Sequence, residues 1–353
     1  MRLTVLNVSY PLAPVSPATA GGAEQVLLTI DEGLVRAGHR SIVIASSESR
    51  CHGLLLPTPR LSEPLDEQVK QRLRREHAKA IERALQTFPV DVIHLHGIDF
   101  LEYLPSEAIP VVVTLHLPPD WYPAETFWLN RPDVHLVCVS DSQRAACPRG
   151  SRVARIVTNG VAVHNPISNK KGNYLLYLGR ICREKGLHLA IDAASKTGLP
   201  LYIAGQVFNY PEHRDYFEHK IRPRLRTPHK FLGAVGGARK RQLLAGARCV
   251  LIPSMAQETS SLVAMEAMHC GTPVIAFRKG ALPEVIEQGR TGLLVDSVDE
   301  MAEAILHCGD LDPKVCTAAA ATRFSAKRMV SEYIALYQSV VRRSASAYLE
   351  VAC

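Results

Sequence analysis

Short apolar runs alternate with helical patterns along this chain, and the alternation occurs in two rounds. In the first, "LTVLNVS" (3–9) precedes "GAEQVLLTIDEGLVRAG" (22–38), whose apolar Ala23, Val26, Leu27, Ile30 and Leu34 share one helical face. "SIVIAS" (41–46), "DVIHLHG" (91–97), "PVVVTLH" (110–116) and "VHLVCVS" (134–140) extend the strand pattern, with a second amphipathic helix over 66–88. The second round runs through "YLLYLG" (174–179), "KGLHLAIDAAS" (185–195), "LPLYIAG" (199–205), a helix near 236–246, "RCVLIPS" (248–254), a helix over 262–270 and "PVIAF" (273–277). This rhythm predicts an α/β protein with one parallel, doubly wound sheet per round. A chain of 353 residues is also too long for one ordinary core, so two domains are expected.

The polar stretch "VHNPISNKKG" (163–172) separates the rounds and places the domains at 1–164 and 165–324. A long terminal helix over 325–343 follows, with Ser325 as its cap and Met329, Val330, Tyr333, Ile334, Tyr337 and Val341 on the face that docks. Ligands of such sheets bind beyond the carboxyl ends of the strands, so a cleft between two facing domains is the expected site.

Composition narrows the function. No run of about 18 apolar residues exists to span a membrane. The start, "MRLTVLNVSYP", suits a first strand better than a leader peptide. Nine cysteines without a CxxC pair fit reduced thiols in a cytoplasm. A net charge of +7 favours anionic ligands, whereas dispersed basic residues and 6% aromatics count against nucleic acid. The helix 66–88 sets Lys70, Arg72, Arg74, Arg75, Lys79 and Arg83 opposite Val69, Leu73, Ala80, Ile81 and Ala84. Burial of that small apolar stripe against the sheet is the simpler account, leaving at most weak contact with an anionic membrane. Oligomeric state is not legible.

Three stretches carry chemistry. Gly21 and Gly22 open a helix whose N–H groups can meet a phosphate, or simply make a tight turn. Arg180 and Lys185 follow the strand that ends at Gly179, where two cations can hold a diphosphate or be solvated surface charges. Glu258 lies in the loop before a helix starting at Leu262, capped by Ser260 or Ser261, and Glu266 lies one turn in. Two such carboxylates can hold the hydroxyls of a sugar and of a ribose, or be ordinary helix charges. No metal is expected: Asp310-Leu311-Asp312 has the chemistry of a turn. His94 and His96 alternate on a strand, so they are expected on opposite faces and not as a joint ligand pair.

The segments "GGAE" (21–24), "LYLGRICREKG" (176–186), "IAG" (203–205), "LIPSMAQETSSLVAMEAMHCGTPVIA" (251–276) and "GLLV" (292–295), in this order, resemble the retaining glycosyltransferases of family 4. The resemblance implies the GT-B fold: two Rossmann-like domains facing across a cleft, with the last helix crossing back onto the first domain. It implies that Arg180 and Lys185 bind the donor diphosphate and Glu266 the nucleotide ribose. Glu258 and the backbone of Ser260, Ser261 and Leu262 would bind the donor sugar, with Gly205 in the nucleotide site. His116 matches the family's histidine near the sugar, and Gly21 and Gly22 approach the phosphate or the acceptor. Ser260-Ser261 replaces a frequent Phe-Gly, and Leu117-Pro118-Pro119 follows His116 in place of a frequent acidic residue, which leaves donor identity open.

The implied reaction moves a hexosyl group from a nucleotide-diphosphate sugar, UDP-sugar before GDP-sugar, to a hydroxyl acceptor. No cofactor or metal is required. Positive groups stabilise the departing diphosphate, which itself takes the acceptor's proton in a front-face, retaining displacement. The aromatic stretch after His116, including Trp121 and Tyr122, is an acceptor-side candidate or a locally packed loop. Three other readings compete. A nucleotide-sugar epimerase on the same fold would lack an acceptor. A dinucleotide oxidoreductase lacks its GxGxxG here. A non-catalytic sugar-nucleotide or membrane-binding protein would tolerate loss of Arg180 and Lys185, and both are present.

Overall fold

In the computed structural model, which describes residues 1–17, 19–62, 65–162 and 171–351, the two rounds form two parallel sheets. The first contains β1 (Thr4–Val8), β2 (Arg40–Ser46), β3 (Leu54–Thr58), β4 (Val92–Leu95), β5 (Val111–Thr114), β6 (Val134–Cys138) and β7 (Val153–Ile156). Their order is β3-β2-β1-β4-β5-β6-β7. The second contains β8 (Leu175–Leu178), β9 (Leu201–Ala204), β10 (Lys230–Gly233), β11 (Cys249–Ile252), β12 (Val274–Phe277) and β13 (Gly292–Val295), in the order β10-β9-β8-β11-β12-β13. The strand order reverses between β1 and β4 in one sheet and between β8 and β11 in the other. At such reversals the loops beyond the strands' carboxyl ends diverge and leave room for a ligand.

The helices of the first unit are α1 (Gly22–Arg36), α2 (Glu67–Thr87) and α3 (Asp141–Ala146). Those of the second are α4 (Leu187–Thr197), α5 (Pro211–Tyr216), α6 (Gly237–Gly246), α7 (Leu262–His269), α8 (Leu282–Val285), α9 (Val298–His307) and α10 (Pro313–Arg323). The terminal helix α11 (Ala326–Val351) belongs to the first unit. One unit is thus Met1–Asn159 with the terminal helix, and the other is Gly160–Ser325. The expected linker 163–172 lies outside the described residues over 163–170.

Central strands are buried on both faces, which is why β2, β4, β5, β11 and β12 are nearly continuous apolar runs. Helix α2 is capped by Asp66, whose carboxylate accepts the Val69 N–H at 2.8 Å. Its stripe Val69, Leu73, His77, Ala80, Ile81 and Ala84 is buried, as the simpler reading expected, and its basic side faces out. Helix α11 packs on α1. Its buried face is Met329, Val330, Tyr333, Leu336, Tyr337 and Val340, so Leu336 and Val340 correct the expected Ile334 and Val341. Among the described residues no helix is long and apolar enough to cross a membrane.

Candidate active site

The sequence-predicted residues fall into two sets, one in each unit. In the second unit, the loops after β8 and β11 flank the strand-order reversal and carry most of the charge. Arg180 leaves the end of β8, its carbonyl accepting a hydrogen bond from the Tyr177 hydroxyl at 3.1 Å. Lys185 closes a short turn, Arg183–Lys185, directly before α4. Its Nζ stands 2.6 Å from Glu258 Oε1, with the two side chains 28% and 10% exposed. Arg180 Nη2 is 3.8 Å from Glu184 Oε1. Both cations therefore sit beside carboxylates at the mouth of one sheet.

The backbone holds these loops together. The Glu184 carbonyl accepts from Met255 N–H at 2.8 Å, Ala256 N–H at 3.3 Å and the Ser254 hydroxyl at 3.3 Å. Behind Glu258, the Ala281 N–H donates to the Glu258 carbonyl at 2.7 Å, and Gly280 N–H donates to Gln257 Oε1 at 2.7 Å. A Cβ at Gly280 would stand 2.2 Å from the Glu258 carbonyl oxygen, and its φ of +54° lies in the left-handed region, so glycine is required there. Gly205 has a similar packing role: a Cβ would meet the Gly179 carbonyl oxygen at 1.9 Å, and its absence lets the chains beyond β8 and β9 run side by side.

Of the two expected caps, Ser261 performs the role, its hydroxyl accepting the Ala264 N–H at 3.3 Å. Leu262 is the first residue of α7, and the neighbouring Ser260 hydroxyl oxygen is buried without a partner among the described residues. Glu266, one turn into α7, is bound by Lys240 of α6 at 2.6 Å. Lys240 was not singled out from sequence. It stands 26 positions from Glu266, and no local pattern couples them.

The first unit carries Gly21, Gly22, His116, Trp121 and Tyr122. Helix α1 starts at Gly22 with Gly21 at its N-cap. A Cβ on Gly21 would lie 1.8 Å from Glu24 Oε2, so the chain's own carboxylate covers this turn. His116 follows β5, and the Tyr122 hydroxyl accepts its N–H at 2.9 Å and that of Leu117 at 3.3 Å. Tyr122 is buried and fixes this loop, whereas Trp121 is 46% exposed. Gln143 of α3 braces the same loop by donating to the Leu115 carbonyl at 2.8 Å and the Leu117 carbonyl at 2.9 Å.

The histidine reading needs correction. β4 ends at Leu95, so His96 lies past the strand and is freed from its alternation. The His94 and His96 rings stand 3.9 Å apart. His96 Nδ1 is 3.0 Å from His116 Nε2, so one ring donates and the other accepts. His94 joins Tyr337 of α11 at 2.7 Å and Thr114 at 2.7 Å, and Thr114 meets Tyr333 at 2.8 Å. Burial lowers His116 to about 3, and pulls His94 and His96 well below the ordinary histidine value. All three are neutral near pH 7, so His116 serves as a hydrogen-bonding group there rather than as a cation.

Residues 20–165 match the family model described as Glycosyltransferase Family 4, and residues 172–310 match Glycosyl transferases group 1. The chain belongs to the family 4, group 1 glycosyltransferases. This family 4 chain is 36% identical over 127 residues to a glycosyltransferase of Methanocaldococcus jannaschii, covering 34% of this chain and 31% of that one. It is 26% identical over 293 residues to a glycogen synthase of Mycobacterium tuberculosis, covering 73% and 68%. The match thus spans about a third of the first relative and about two thirds of the second. Solved structures share the GT-B fold. AviGT4, a glycosyltransferase involved in avilamycin A biosynthesis, superposes with a TM-score of 0.71 at 23% identity, over 96% of this chain and 98% of that one. HepE of Anabaena, in complex with UDP and glucose, gives 0.74 at 20% identity, over 96% and 100%.

Proposed function

We propose that this chain is a retaining glycosyltransferase that moves a hexosyl group from a nucleoside-diphosphate sugar, UDP-linked in preference to GDP-linked, to a hydroxyl of an acceptor in the cytoplasm. The observation that carries the reading is the pair of cations after β8, Arg180 and Lys185, beside Glu258 after β11. The fold relationship to a protein holding UDP and glucose supports the donor class.

The chemistry follows from the charges. Cleavage of the glycosyl–phosphate bond builds negative charge on the leaving diphosphate. Preorganised cations lower that barrier more than they stabilise bound donor. Before donor arrives, Lys185 is neutralised by Glu258. A phosphate oxygen replaces that carboxylate, and Glu258 becomes free to accept sugar hydroxyls. Glu266, steered by Lys240, accepts the ribose hydroxyls. The departing phosphate oxygen takes the acceptor's proton, and the acceptor oxygen bonds to the same face of the anomeric carbon. No side-chain base or metal enters this scheme. Trp121 remains the exposed acceptor-side candidate, while Tyr122 shapes the loop behind it.

The test is incubation of the chain with a panel of UDP- and GDP-sugars, with and without glycan, lipid-linked and small-molecule acceptors, in excess chelator. Release of nucleoside diphosphate, and an anomeric NMR signal of the donor's own configuration in the product, are expected. Inverted product, or turnover lost in chelator and restored by Mg²⁺, contradicts the scheme.

A further inference from the structure

Beside the donor-facing cations is a group of side chains that the transfer scheme does not use. Cys182 lies between Arg180 and Lys185, Glu184 follows it in the same turn, and His213 comes from α5, 31 residues beyond Cys182. The Cys182 sulfur, a Glu184 carboxylate oxygen and a His213 ring nitrogen all lie within 4.8 Å of one another. We infer that these three side chains form a site for a zinc-class divalent cation.

The donor set carries the assignment. A thiolate, an imidazole and a carboxylate are the ligands that suit Zn²⁺ and its spectroscopic substitute Co²⁺, whereas Mg²⁺ and Ca²⁺ prefer all-oxygen cages. Three protein ligands leave a fourth tetrahedral position open. Ligand atoms around one zinc at ordinary bond lengths stand roughly 3.3–3.8 Å apart, a spacing inside the 4.8 Å that encloses these three. Cys182 is buried, its sulfur 3.7 Å from the Arg180 carbonyl oxygen and hydrogen-bonded to the Glu184 carboxylate. His213 Nδ1 is buried without a partner among the described residues. Its neighbours Phe208 and Tyr210 meet the ring edge-on and hold its orientation.

Protons balance simply. Burial pushes the Cys182 thiol up to about 12, so it is protonated near pH 7. Metal binding replaces the S–H bond with an S–metal bond and releases that proton to solvent. Burial also lowers His213 below its ordinary value, so its ring is already neutral. Affinity therefore rises with pH. The site touches the rest of unit two through Glu184. Its carboxylate neighbours Arg180, and its carbonyl anchors the loop from Ser254 to Ala256. An ion here draws the Glu184 carboxylate away from Arg180. The inference needs no transfer activity, so it stands or falls separately from the proposed reaction.

The test is titration of Co²⁺, then competing Zn²⁺, into the chelator-stripped full chain, followed by absorption spectroscopy. One equivalent with a thiolate-to-cobalt charge-transfer band is expected, tightening from pH about 7 to about 8. Cys182→Ala should remove the band, and His213→Ala should weaken Zn²⁺ binding on the order of tenfold or more. Circular dichroism checks the fold of both. If Cys182→Ala does not fold, the half-exposed His213→Ala decides alone. A full-intensity band in Cys182→Ala, unchanged affinity in His213→Ala, or no saturable binding to wild type overturns the site.

Discussion

Lys185 and Glu258 are separated by 73 positions, yet Nζ and Oε1 stand 2.6 Å apart, bridging the loops after two adjacent strands. Under the proposed reaction this pair is the resting state, in which the protein supplies its own anion. Glu258→Gln keeps the shape and removes that anion. UDP should then bind at least as tightly as to wild type, while turnover falls on the order of a hundredfold because the sugar loses its carboxylate. Calorimetric titration with UDP alongside initial rates separates the two effects. Weakened UDP binding with unchanged turnover would place Glu258 outside the sugar site.

Glu266 is oriented by Lys240 at 2.6 Å, with both side chains about four-fifths buried. Glu266→Ala should weaken UDP binding about tenfold, equivalent to about 1.4 kcal/mol. Lys240→Ala should weaken it less, since the carboxylate survives but loses its guide. Equal UDP dissociation constants for both variants and wild type would remove the ribose role.

The docking of α11 on α1 rests on a small residue. A Cβ at Gly33 would stand 2.5 Å from both γ carbons of Val330, and valine has little rotamer freedom to yield. Gly33→Ala should cost about 1–3 kcal/mol by overpacking. Val330→Ala in that background should recover part of the loss. Chemical denaturation of the single and double variants measures this, and additive losses would contradict the contact.

Acid should destabilise the first unit. His77 is 1% exposed beside Tyr103, and burial lowers it from 6.5 to about 4. Above pH 6.5 both folded and unfolded states are neutral at this ring. As pH falls from 6.5 to about 4, mainly the unfolded state takes up the proton, so stability is lost across that window and levels off below it. His77 alone accounts for about 2 kcal/mol at pH about 5. Denaturation of wild type and His77→Leu at pH about 7.5 and about 5 should show a smaller loss in the variant. An equal loss would mean the ring is protonated in the folded chain.

Much of the fold was legible because central strands and large helices have strong periods. The overlooked strands, β3, β7, β10 and β13, all lie at sheet edges. β3, β7 and β10 are partly exposed, the apolar runs of all four are short, and β3 carries Pro57, which only an edge tolerates comfortably. At the site, strand ends and helix starts were readable, so Arg180, Lys185, Glu258 and Glu266 could be named. Their partners were less so. Lys240 and Gln143 reach their targets through tertiary packing, and His96 escapes its strand by a single residue. The Cys182, Glu184 and His213 cluster was invisible for the same reason, since two of its members are local and the third comes from another helix.

The central claim is that Arg180 and Lys185 stabilise charge on a departing diphosphate. The most direct measurement is nucleoside-diphosphate release from the donor that wild type turns over, compared for wild type, Arg180→Ala and Lys185→Ala at matched folded concentration. The account predicts that each variant keeps its fold and loses turnover on the order of a hundredfold or more. Near-wild-type release by both variants would contradict it.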